Sequence, residues 1–180
     1  MIVGVSTKSF GPNIVSDITY AGTSFIGNGG GRAGSTTILG RPRTVELWYL
    51  PNPPSGNNTI RVTFTGSMFD IVAGATTWTG VRQTTPLGTY QGASADGSST
   101  YSVVVPSATD EVVVDVLEKQ GTCVPSPTSG GQTQRWNKSD GNDGSGSGSS
   151  QAGASTVTMS WTGCGLADFA IGAVPLKPFP

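Results

Sequence analysis

Alternation of apolar and polar side chains dominates the chain. In Asn58-Thr59-Ile60-Arg61-Val62-Thr63-Phe64-Thr65, the residues Ile60, Val62 and Phe64 share one face and Thr59, Arg61, Thr63 and Thr65 the other. This period of two marks a strand with one covered and one wet side. Residues 44–50 repeat it, with Val45, Leu47 and Tyr49 opposite Thr44, Glu46 and Trp48; residues 156–161 do so again, with Val157, Met159 and Trp161 in phase. Further strands are predicted at 2–7, 14–20, 23–26, 69–75, 77–81, 100–105, 111–118, 133–136 and 169–176. No window carries a 3.6-residue apolar stripe, so no helix longer than about two turns is expected.

Turn chemistry separates these segments, as in Pro51-Asn52-Pro53-Pro54-Ser55-Gly56, Ala95-Asp96-Gly97-Ser98 and Pro106-Ser107-Ala108-Thr109-Asp110. Short strands at this density predict an all-β fold, an antiparallel β-sandwich of jelly-roll or immunoglobulin-like type. Ile60, Val62, Phe64, Val157 and Met159 are expected between its sheets. At 180 residues the chain reads as a single domain, 1–180, able to bury a core without help from disulfides or metals. Two segments are low in complexity. Residues 28–35 read as a glycine loop, and residues 139–155 as a Gly/Ser-rich loop within the domain, because strand-like sequence resumes after it. Deleting residues 145–150 is therefore expected to leave the sandwich folded.

Composition narrows the function classes. Charged residues are 12% of the chain, and 10 Lys plus Arg against 11 Asp plus Glu leave a net charge of -1, so no field steers nucleic acid or an anionic membrane toward it. No apolar run approaches the roughly 20 residues of a membrane-spanning helix. Met1-Ile2-Val3-Gly4-Val5-Ser6 enters a strand pattern with neither a basic segment nor an apolar signal core before it. Taken as the natural start, it implies folding in a cytoplasm.

The chain has no histidine. That excludes Ser-His and Cys-His nucleophile pairs and histidine-containing zinc sites. Glu46, Glu111, Asp115 and Glu118 read as solvent-facing carboxylates, with nothing to pair them across a glycosidase cleft. Gly29, Gly31 and Gly34 satisfy GxGxxG, but no helix pattern follows to receive a pyrophosphate. Asp140-Gly141-Asn142-Asp143-Gly144 has the oxygen spacing of a calcium loop without its later glutamate, and reads as turn chemistry. No catalytic residue, cofactor or metal is expected, and the chain is not expected to be an enzyme.

Trp48 and Trp136 are the aromatic candidates for a subunit contact or for stacking on a sugar, and for Trp48 a second buried layer is the further alternative. Trp161, in phase with Val157 and Met159, belongs to the core. Cys123 and Cys164 can close a disulfide loop of about 40 residues, worth roughly 3 to 4 kcal/mol, or stand as free thiols.

Three segments carry a resemblance: Val45-Glu46-Leu47-Trp48-Tyr49-Leu50-Pro51-Asn52-Pro53-Pro54, Thr59-Ile60-Arg61-Val62-Thr63-Phe64, and Gly80-Val81-Arg82-Gln83-Thr84-Thr85-Pro86-Leu87-Gly88. With Gln132-Thr133-Gln134-Arg135-Trp136 and Val157-Thr158-Met159-Ser160-Trp161, the chain resembles a sandwich domain of phage virion proteins and bacterial surface proteins. The resemblance implies a non-catalytic structural or binding module. It departs from the pattern in lacking a strand ahead of the segment matched by residues 2–6. The expectation is a head-decoration or cementing subunit of a phage virion, homo-oligomeric and in contact with a major capsid protein or sister subunits. The alternative is a carbohydrate-binding or adhesive module of a longer extracellular or cell-surface chain.

Overall fold

A computed structural model describes residues 1–9, 14–40, 42–128 and 130–180. Among these, all regular structure is strand apart from one short 3₁₀ turn, Ile26–Asn28, and every strand pairing is antiparallel. The expected all-β antiparallel sandwich is the fold observed, and it is four sheets deep. Sheet I has the order β3-β2-β6, from β2 (Val15–Tyr20), β3 (Thr23–Ser24) and β6 (Ile60–Phe64). Sheet II runs β4-β5-β1-β7, from β1 (Ile2–Thr7), β4 (Gly31–Thr37), β5 (Thr44–Tyr49) and β7 (Ile71–Thr76). Sheet III runs β12-β13-β10-β15-β8, from β8 (Gln91–Ser98), β10 (Val112–Gln120), β12 (Thr133–Ser139), β13 (Gly144–Ala152) and β15 (Ala167–Leu176). Sheet IV has the order β11-β14-β9, from β9 (Tyr101–Pro106), β11 (Ser126–Pro127) and β14 (Thr156–Thr162).

Three apolar seams define the stacking. Val3, Val5, Trp48 and Leu50 of sheet II and its flank meet Ile18, Tyr20 and Phe25 below sheet I. The opposite face of sheet II sets Ile2, Val45 and Leu47 against Val114, Val116 and Val174 of sheet III. The far face of sheet III sets Val113, Leu117 and Ile171 against Val103, Met159 and Trp161 of sheet IV. Sheets II and III are thus covered on both sides, and β1 and β10 are buried almost end to end. Outer strands keep the alternation that the sequence displays: Val157 and Met159 are buried, whereas Ile60, Val62 and Phe64 on β6, at the edge of sheet I, are half-buried.

Residues 31–35 and 144–152 of the low-complexity segments are strand, which corrects their reading as loops, while 28–30, 140–143 and 153–155 lie outside strands. Residues 144–150 of β13 are all buried between β12 and β10 and beneath sheet II. The glycine segment forms β4, and Ala95-Asp96-Gly97-Ser98 lies within β8. Residues 77–81 form no strand, Val81 making only an isolated bridge to Pro178. The physical reason is close approach. Cα atoms on facing strands of sheets II and III come within 8 Å, where sheets ordinarily stand about 10 Å apart. Only small side chains fit there, and Gly146 packs against Ser6 and Val72 with no room for a Cβ.

Candidate functional site

The two aromatic candidates both serve the interior. Trp48 is buried, its Nε1 donating to Glu46 Oε2 at 3.0 Å and its ring lying 5.1 Å below the Arg32 guanidinium. The face of β5 taken as wet is the one covered by sheet I, so the second buried layer is the reading that holds. Trp136, half-buried on β12, wedges its indole into a cradle of Gly4, Gly74 and Gly148, where a Cβ on Gly74 or Gly148 would collide with the ring and one on Gly4 would stand 3.0 Å from it. Tyr90 does the same at the other edge, over Gly34 and Gly172, with its hydroxyl 2.7 Å from Thr36 Oγ1. Neither tryptophan offers an open platform for a sugar. Cys123 and Cys164 are joined, with Cα atoms 5.7 Å apart, tying the segment after β10 to the one after β14.

Three of the four carboxylates read as solvent-facing are buried instead, because they lie on central strands. Glu46 accepts from Ile14 N (2.6 Å), Val15 N (3.0 Å), Arg32 Nε (2.8 Å) and Trp48 Nε1, lacing sheet I to sheet II. Asp115 accepts from Ser149 N and Oγ, both at 2.6 Å, and from Trp161 Nε1 at 2.7 Å, crossing to sheet IV. Burial pushes its carboxyl up to about 6 against those donors. Glu111 caps a turn, taking Ser107 Oγ and Ala108 N at 2.9 Å each.

Glu118 belongs to an ionic cluster at one end of the stack. Arg43, itself buried, reaches Glu118 Oε1 at 2.9 Å, Asp143 Oδ2 at 2.7 Å and the Asp143 carbonyl at 2.8 Å. Lys8 Nζ lies 2.8 Å from Asp143 Oδ2 and 3.9 Å from Asp70 Oδ2. Burial pushes Glu118 up to about 8, with Arg43 opposing, and lowers buried Lys119, whose Nζ caps the Gln120 carbonyl. Although burial acts against it, the Asp143 carboxylate is held below its ordinary range by Lys8 and Arg43. In the turn read as a weak calcium match, Asp140 Oδ1 accepts from Asn142 N at 2.9 Å and Gly144 N at 3.1 Å. Among the described residues, no group of three or more acidic or cysteine side chains is arranged to hold a metal.

Around this ionic cluster the loops leave large apolar side chains in water. Leu39 follows β4 and is 96% exposed, Phe69 precedes Asp70 and is 76% exposed, and Leu166 precedes β15 and is 77% exposed. Ile71 and Val124 are exposed beside them. The register places all five at one end: Thr7 pairs with both Thr44 and Ile71, and Lys119 pairs with both Ser145 and Phe169. The opposite end holds an open groove lined by Ile2, Tyr49, Pro53, Trp78, Pro86 and Leu87 among others. Arg135 covers one side of Trp78, its Cζ 5.1 Å from the ring.

Neither end was legible as a site from sequence. Leu39 and Leu166 lie in turns too short to show a pattern, while Phe69 and Trp78 fall in segments read as strands, although the strand predicted from Phe69 begins only at Ile71. The only sequence signal was the placing of bulky apolar residues directly beside Gly or Asp in turn-rich stretches. Comparison of the chain with protein-family models, with curated proteins and with solved structures finds no match in any of the three.

Proposed function

We propose that the chain is a non-catalytic structural subunit of a phage virion, most simply a head-decoration protein, and that it docks through the end bearing Leu39, Phe69 and Leu166. The observation that carries this reading is that apolar set. Large apolar side chains left in water at one end of a folded domain mark a candidate contact face, and here they share that end with paired charges. Behind it the fold is stiff. Buried carboxylates join adjacent sheets, and the disulfide clips the connection between β10 and β11 to the one between β14 and β15. A decoration subunit acts by binding the assembled lattice and not its dissociated parts, which stabilises the lattice by mass action. That role needs a rigid body and an apolar face of roughly 600 to 1,000 Å² per partner, with no bond made or broken.

The test is mass spectrometry of purified particles, followed by binding of the Leu39→Asp, Phe69→Asp double variant. We expect the chain in the particle, and occupancy reduced at least tenfold by the variant with its melting temperature unchanged. A chain absent from particles overturns the reading. One observation favours a carbohydrate-binding or adhesive module instead, the groove holding Tyr49 and Trp78. Saccharide binding abolished by Trp78→Ala would establish that alternative.

A further inference from the structure

Two carboxyl groups in the ionic cluster have no use in the docking reading, and they meet in an unusual way. Asp70, just before β7, is 7% exposed, and its Oδ2 is buried with no donor. Asp140, in the turn between β12 and β13, likewise has a buried Oδ2 with no donor. Asn142 sits between them, donating its N to Asp140 Oδ1 and its Nδ2 to Asp70 Oδ1, and the position of a Cβ on Gly144 lies 3.3 Å from Asp140 Oδ2 and 3.4 Å from Asp70 Cβ. Two neighbouring carboxylates can both keep a buried oxygen without an outside donor only if one carboxyl is protonated and supplies it.

We propose that Asp70 and Asp140 share one proton through their Oδ2 atoms, forming an acid-closed latch that fastens the loop before β7 to the turn that leads into β13. The surroundings say which partner carries it. Asp140 Oδ1 already accepts the Asn142 and Gly144 amides, which favours its ionised form. Asp70 has only the Asn142 side-chain amide at 3.5 Å, and Lys8 at 3.9 Å is engaged more closely by Asp143. Asp70 is therefore the acid and Asp140 the acceptor. Among the described residues, the other charged groups around the pair are Glu118 and Lys119 on β10, Arg43 ahead of β5, Lys8 after β1 and Asp143 in the same turn. Glu118 and Asp143 take up Arg43, and Asp143 holds Lys8 more closely than Asp70 does, so among the described residues no cation bridges the two Oδ2 atoms.

The directions of titration agree. Burial, then the hydrogen bond to Asp140 and its charge, raise the Asp70 carboxyl above its ordinary range. Burial works against Asp140, but the Asn142 amide, Asp70 and the Gly144 amide hold it below its ordinary range. A raised folded-state value means that the Asp70 contribution is present in acid and is lost as pH rises through that value. A lowered one means that the Asp140 contribution is lost as pH falls through its own. The latch is closed between the two. Above the Asp70 value both groups ionise and repel, freeing the segment that carries Phe69. This inference stands whether or not the virion reading does.

The experiment is a carbon-detected NMR titration of the aspartate carboxyls in the intact protein, with hydrogen exchange followed over residues 66–72 and 139–144. Asp70 is expected to titrate above ordinary aspartates and Asp140 below them. Exchange in both segments, corrected for its intrinsic pH dependence, should accelerate about tenfold for each unit by which Asp70 is raised. Asp70→Asn supplies a donor that does not titrate, so its protection should be the same on both sides of that midpoint. Coincident titration of the two carboxyls in the ordinary range overturns the latch, as does identical exchange in wild type and variant. So does closure by calcium chloride at a pH where the latch should be open, since a cation would then be the bridge. If the variant fails to fold, the wild-type titration decides alone.

Discussion

At the scale of single residues, the chain places most of its buried charge where two sheets meet. Asp115 shows what this does to pH dependence. Its carboxyl sits at about 6 in the fold because burial outweighs the donors from Ser149 and Trp161, whereas an aspartate in the unfolded chain titrates near 3.9. The folded value is raised, so its contribution is complete below about pH 4 and is lost as pH rises through about 6. Over that window wild-type stability should fall, relative to Asp115→Asn, with a slope of up to ~1.4 kcal/mol per pH unit. Urea denaturation at a series of pH values measures the difference. Parallel profiles would mean that Asp115 ionises in the fold as freely as in water.

At the scale of elements, strands were legible where one face is wet and illegible where both are covered. Residues 60–64 and 156–162 alternate because they lie in outer sheets, and period-two reading finds them. β4, β8 and β13 carry glycine, serine and alanine because sheets II and III approach too closely for larger side chains, and that composition is also what a flexible linker has. Sequence cannot distinguish an excluded side chain from an absent requirement. The same ambiguity hid the site residues: Trp48 alternates as though exposed, and the facing layer that covers it is remote in sequence. The distinction has consequences for mutation. Gly74→Ala should destabilise by about 1 to 3 kcal/mol through overpacking against Trp136, and the cost should shrink when Trp136→Leu is added, because the two changes share one space. Deleting residues 145–150 should abolish folding, since it removes the strand between β12 and β10. Denaturation midpoints for the glycine variants and circular dichroism for the deletion would show it. A deletion variant with an intact spectrum would return this segment to the surface.

For the whole molecule, the four-layer order predicts how stability is distributed. Sheets II and III each contribute to two seams, and sheets I and IV to one. Local opening is governed by the apolar contacts that must be broken, so amides of β1, β5, β10 and β15 should exchange only with global unfolding, and those of β6 and β9 earlier. The disulfide modifies this in one place. It links the connection between β10 and β11 to the connection between β14 and β15, at a sequence separation of 41, and a cross-link of that span restricts the unfolded chain by about 3 to 4 kcal/mol. Nothing equivalent is seen at sheet I among the described residues, where Glu46 is the tie. Reduction should therefore raise exchange in β9, β11 and β14 first and leave the seam between sheets I and II protected at mild denaturant. Hydrogen exchange with mass spectrometry, with and without a reductant, reads this directly. A uniform loss of protection across all four sheets would show a single cooperative unit in which the layers have no separate stability.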